Sequence, residues 1–251
     1  MASRNTYGYL VEASERPRNA PTWSSLVRAD PGRLALADPG RDPEHLQVVP
    51  KRPAQDGYTL VELADDVDAF MDAIGLSSAV LLGSSSGGYV AQQVAVGHPH
   101  RVRGLVLVGS PRSLRGRPPF ADEVDRLTDP VDRAWVRASL EWFPRFHDIP
   151  GWYVEDRIDD GLRMPANVWR KTLIGLSTAV PPTETGTITV PTLIIRGDRD
   201  DLLVQQDQEA LAVAIPGSRL VVYNDTGHLV LWEQPQRVAS DLIDFVTSLS
   251  A

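Results

Sequence analysis

The chain contains no cysteine. That absence excludes a disulfide framework, a thiol nucleophile and a cysteine-based metal centre, so any nucleophile must be an oxygen or a nitrogen. No uninterrupted apolar stretch reaches membrane-spanning length, and residues 1–20 lack the apolar core of a secretory signal, so the expected setting is cytoplasmic. A basic run is missing as well. The 25 Lys and Arg stand against 33 Asp and Glu, a formal charge of −8, which argues against nucleic acid or an anionic membrane surface as partner. What remains is 251 residues, 42% of them hydrophobic, enough for one large α/β domain with a substantial core.

Residues 79–88 form an apolar run that ends in Gly83-Ser84-Ser85-Ser86-Gly87, a Gly-x-Ser-x-Gly pattern, and an amphipathic segment follows at once. A strand that turns sharply into a helix forces its turn residue into strained angles, and flanking glycines let the chain pass that close. Ser85 is then lifted to the top of a sheet as a candidate nucleophile.

The surrounding pattern supplies a scaffold. Thr59 and Glu62 are spaced as a capping box, and Leu60, Leu63, Val67, Phe70, Met71 and Ile74 recur at helical spacing up to Gly75. The runs 104–109, 190–196 and 218–223 are short and nearly continuously apolar, as expected for strands buried on both faces. Helical periodicity over 202–215 and 236–249 alternates with them, which implies a parallel sheet covered on both sides. Between Gly109 and Thr189 no strand is evident. Trp135, Trp142, Phe143, Phe146, Trp152, Tyr153 and Trp169 cluster there among charged helical stretches, so a helical insertion over about 112–186 is expected.

A serine hydroxyl needs a base within hydrogen-bond reach and an anion to orient that base. Asp198, Asp200 and Asp201 follow the run ending at Arg196, and His228 follows the last strand run, so all belong at the carboxyl edge of the sheet. Asp225 is too close to His228 in sequence to be the favoured orienter. His98 and His100 read as turn residues, His45 as part of a proline-rich loop, and His147 as part of the insertion. The aspartate cluster lacks a second ligand group at recognisable metal spacing.

Over roughly residues 58–250 the chain resembles the α/β-hydrolase fold family with a helical cap. The likeness is carried by Leu-Leu-Gly-Ser-Ser-Ser-Gly-Gly, by His98 through Pro111, by Val190 through Asp200, and by Gly227-His228 followed by Trp232-Glu-Gln-Pro235. The resemblance implies an α/β fold with a mostly parallel sheet covered by helices on both faces, a core at 1–111 and 187–251, and a cap at 112–186. It maps the triad onto Ser85, His228 and Asp200. A serine at the elbow implies acyl chemistry on a small or medium hydrophobic ester, thioester, lactone or diketone, with no metal and no organic cofactor.

The family's oxyanion hole uses the N–H of the residue after the nucleophile, here Ser86, and a second donor from a loop after an earlier strand. That loop is normally a His-Gly pair, and residues 1–32 contain none, with one strand-like run at 7–11. The lead-in strands are therefore expected to be reduced. Three outcomes follow: an impaired enzyme, a donor recruited near Tyr7-Gly8 or Pro39-Gly40, or a ligand-binding protein on the same scaffold. Fewer lead-in strands also leave a sheet edge open, which favours pairing with a second copy of the chain.

Overall fold

The computed structural model describes residues 58–249 and the backbone of one further strand, β1 (Tyr9–Glu12). The expectations for His45 and for donors near Tyr7-Gly8 or Pro39-Gly40 lie outside the described residues.

Among the described residues five strands form one sheet in the order β1, β2 (Ala79–Ser84), β3 (Val102–Val108), β4 (Thr192–Gly197) and β5 (Arg219–Tyr223). Strands β2 to β5 are parallel, while β1 runs antiparallel to β2 with Tyr9 opposite Gly83. Alternation assigns each central strand to two cores. Leu81, Leu105, Leu107 and Ile194 pack against α1 (Leu60–Ala73), α2 (Ser86–Gly97) and α8 (Gln205–Ala214). Val80, Val106, Val108, Leu193 and Ile195 pack on the other face against α9 (Val230–Glu233) and α10 (Pro235–Ser248). Each such side chain contributes about 1.5–3 kcal/mol of transfer free energy, which is why the central strands read as continuous apolar runs.

Helix α1 starts as its sequence predicts: the Thr59 Oγ1 accepts from the Glu62 N–H at 3.3 Å, and the Thr59 N–H donates to Glu62 Oε2 at 3.1 Å. Two elements differ from the sequence reading. Helix α8 begins at Gln205, because Leu202 and Leu203 donate their N–H groups to the Asp200 side chain. Strand β5 ends the sheet among the described residues, with its middle half-exposed, so its apolar run does not mean burial on both faces.

Between β3 and β4 the chain contains helices alone: α3 (Ala121–Asp125), α4 (Arg133–Ser139), α5 (Gly151–Leu162), α6 (Ala166–Ser177) and α7 (Pro182–Thr185), with a 3-10 turn at Leu140–Trp142. They carry a core of their own, built on Val124, Leu127, Val136 and Ile158. Trp135 sits edge-on to both Trp142 and Trp169, so these three rings fill this core, while Phe146 and Trp152 are exposed.

At the end of β5 the buried Tyr223 hydroxyl donates to Asp241 on α10 at 2.6 Å, beneath the Arg237 guanidinium at 3.8 Å from the ring. Burial and the adjacent carboxylate push the phenol well above the ordinary value of 10.0. The neutral form is therefore favoured by folding. Its contribution is fully present below pH 10 and is lost as pH rises toward the folded-state value. Tyr223→Phe should lower stability by about 1.5 kcal/mol at pH 7, the scale of a hydrogen bond to a charged group. In urea unfolding, the gap between wild type and variant should narrow above pH 10.

Candidate active site

Ser85 occupies the turn between β2 and α2 with φ 52° and ψ −128°, a left-handed conformation rare for a residue with a side chain. Its N–H donates to the Val108 carbonyl at 2.9 Å, which ties the turn to the end of β3. The glycines around it answer to space. A Cβ on Gly83 would lie 2.5 Å from the Gly87 carbonyl oxygen and from the Gly88 Cα, and one on Gly88 would lie 2.2 Å from Ser110 Oγ. The helix thus starts in direct backbone contact with the strand that precedes it.

A serine at this position ordinarily caps its helix. Here the side chain makes no capping bond, and its Oγ lies 2.9 Å from His228 Nε2. The first N–H groups of α2, beginning with Ser86, consequently have no cap from that hydroxyl, and they carry the positive end of the helix dipole.

His228 follows β5 and is buried, its side chain 1% exposed. Its Nδ1 lies 2.9 Å from Asp200 Oδ2. The other carboxylate oxygen accepts from the N–H groups of Leu202 and Leu203 at 3.0 and 2.9 Å. A carboxylate only accepts, so Nδ1 carries the proton and Nε2 presents its lone pair to the Ser85 hydroxyl. This arrangement can deprotonate an attacking hydroxyl and then return the proton to a leaving group.

The neighbouring carboxylates are elsewhere. Asp198 and Asp201 are exposed, Asp198 accepting from the Thr226 N–H at 3.3 Å, and Asp225 pairs with Arg199 on the surface. His98 is paired with Asp65 at 2.9 Å, next to Asp68, and His100 is exposed. Among the described residues no cluster of three or more His, Asp or Glu could hold a metal ion.

Three features of the site are not evident in sequence. The Phe143 ring, from the segment between α4 and α5, packs on the His228 imidazole with centroids 5.1 Å apart. The buried Glu233 accepts from the Gly227, Phe146 and His147 N–H groups. Ser110 is held by two fully buried glutamines, Gln92 donating to its Oγ at 3.0 Å and Gln208 to its carbonyl at 2.8 Å. Glu233 had a signal, its place in Trp232-Glu-Gln-Pro235, but no local spacing links it to residue 146. On the same side, Tyr153 packs edge-on to Trp232 at 5.3 Å, and burial raises its phenol so that it stays neutral.

The profile of the Alpha/beta hydrolase family matches residues 16–241. The chain is 27% identical to monoacylglycerol lipase abhd6-A of Xenopus laevis, over 91% of this chain and 72% of that one. It is 29% identical to a 2-hydroxymuconate semialdehyde hydrolase of Pseudomonas sp. (strain CF600), over 80% and 73%. Among solved structures, an esterase from Exiguobacterium antarcticum superposes with a TM-score of 0.66 at 24% identity, over 78% of this chain and 76% of that one, a likeness of fold. A thermophilic esterase from Thermogutta terrifontis gives 0.62 at 26% identity, over 82% and 76%.

The space around the elbow generates a direct test. Gly83→Ala should cost about 2–3 kcal/mol, because the added methyl meets backbone that cannot turn away. Gly151→Ala, where a Cβ meets nothing within 4 Å, serves as the control and should melt like wild type.

Proposed function

The chain belongs to the Alpha/beta hydrolase family, and on that premise we propose that it is a serine hydrolase of carboxylic esters that works through an acyl-enzyme. The observation that carries this reading is the continuous hydrogen-bonded line from Ser85 Oγ through the His228 ring to Asp200, at 2.9 Å on each side.

In this reading His228 Nε2 takes the Ser85 proton as Oγ attacks the acyl carbon, and the C–O bond to the leaving alcohol breaks as His228 protonates it. Water, deprotonated by the same imidazole, then attacks the acyl-serine and releases the acid. Asp200 fixes the tautomer and stabilises the transient imidazolium. The Ser86 N–H, at the positive end of α2, is the first oxyanion donor. The expected second donor belongs to a segment outside the described residues.

We assign residues 1–111 and 187–251 to the hydrolase core and 112–186 to a helical cap. The Phe143 ring over His228 and the aromatic core behind it suit a small or medium hydrophobic acyl group. Thioesters, lactones and diketones present the same electrophilic carbonyl. Among the described residues no helix is long and apolar enough to cross a membrane. Strand β1, which ends the sheet among the described residues, supports self-association as a homo-oligomer, with the cytoplasm as the proposed setting.

A fluorophosphonate probe should label the wild-type protein and leave Ser85→Ala unlabelled. Asp200→Asn should slow labelling by about four orders of magnitude with the fold intact, since the wrong tautomer removes the base. Absence of labelling in folded wild type would sink the hydrolase reading and leave a ligand-binding protein on this scaffold.

A further inference from the structure

Glu233 is a buried carboxylate that the hydrolytic steps do not use. It is 6% exposed and lies five residues beyond His228, at the end of α9. Its Oε1 accepts from the Gly227 N–H at 2.9 Å, and its Oε2 accepts from the Phe146 and His147 N–H groups at 2.8 and 3.2 Å. One anion therefore joins the loop that carries His228 to a strap, residues 143–147, that arrives from the helical segment between β3 and β4. The two surfaces are in close contact. A Cβ on Gly227 would lie 2.5 Å from the Pro144 carbonyl oxygen and 3.2 Å from the Phe146 ring. At the start of the strap, the Phe143 ring lies on the His228 imidazole.

We propose that Glu233 is a positioning residue: its carboxylate pins the strap to the Gly227-His228 loop and thereby holds Phe143 against His228. The proposal rests on the reading of Ser85 and His228 as the hydrolytic pair. Three converging N–H donors need an acceptor with no hydrogen of its own. A carboxylate offers lone pairs at both ends, whereas an amide of the same shape turns an NH2 group toward at least one donor. Glu233→Gln therefore conserves volume and breaks the pin.

The test has a structural arm and a kinetic arm. Hydrogen–deuterium exchange of the 143–147 peptide should rise in Glu233→Gln, with the sheet peptides unchanged. With p-nitrophenyl acetate, a substrate too small to reach far into the cap, kcat should fall about ten- to a hundredfold, as expected for a misplaced base, with KM within about twofold. Phe143→Ala should show the same split, and the double variant should be no slower than the slower single one. Wild-type kcat in Glu233→Gln, or fold-losses that multiply in the double variant, would overturn the proposal. Should Glu233→Gln fail to fold, Phe143→Ala decides alone, because an unchanged kcat there removes the ring through which Glu233 is argued to act. If wild type escapes fluorophosphonate labelling, the hydrolase reading falls, and strap exchange in Glu233→Gln still decides whether the pin exists.

Discussion

The backbone of Ser85 is the constraint on which the rest of the site depends. Holding a residue with a side chain at φ 52° costs on the order of 1–3 kcal/mol, and such strain persists only where the surroundings over-determine it. Here they do so from three directions. The Ser85 N–H is committed to Val108 at the end of β3, α2 lies against the Gly83 backbone, and Ser110 fills the space that a side chain at Gly88 would need. Buried apolar side chains on both faces of β2, β3 and β4 hold those three directions rigid. The strain has a chemical consequence: a hydroxyl that would otherwise cap α2 is turned toward His228, which leaves the helix N-terminus free to face negative charge.

Two buried carboxylates then divide the labour around His228. Taking an anion out of water is costly unless its lone pairs are met, and backbone N–H donors meet one oxygen of Asp200 and both of Glu233. Asp200 spends one oxygen on Leu202 and Leu203 and the other on the imidazole, so its orientation follows from the local turn that delays α8. Glu233 spends both oxygens on backbone, one on the loop of His228 and one on the strap. The first carboxylate sets the ring's proton, and the second joins its loop to the helical segment.

Legibility in the sequence follows the range of the interactions. Helix α1, the elbow and the central strands are written in local pattern, because a capping box, a glycine pair around a strained turn and a run buried on both faces each act within a few residues. That Ser85, Asp200 and His228 meet was legible because each stands just beyond a strand end, and parallel strands bring those ends to one edge. Strand β5 was harder, since its apolar run is the same whether or not another strand covers it, and only sheet order makes it an edge. The contacts of Phe143 and Glu233 with their partners were out of reach for a different reason. Phe143 meets His228, and Glu233 meets Phe146 and His147, across 85 to 87 positions, over a segment whose path across the sheet no periodicity encodes.

That contrast bears on how the two halves of the molecule are related. The sheet edge gathers Asp200, His228 and Ser85 through backbone geometry that tolerates little change, as the glycine contacts show. The helices between β3 and β4 have an aromatic core of their own, and the last of them also reach the main core through Leu176 and the contact of Gly186 with Val96 on α2. Those contacts lie toward α2, away from the 143–147 strap, so a separate fixed point is needed to hold Phe143 over His228. Backbone N–H groups meeting one buried carboxylate suit that purpose, because they leave the strap's side chains free to differ while its main chain stays in register with His228.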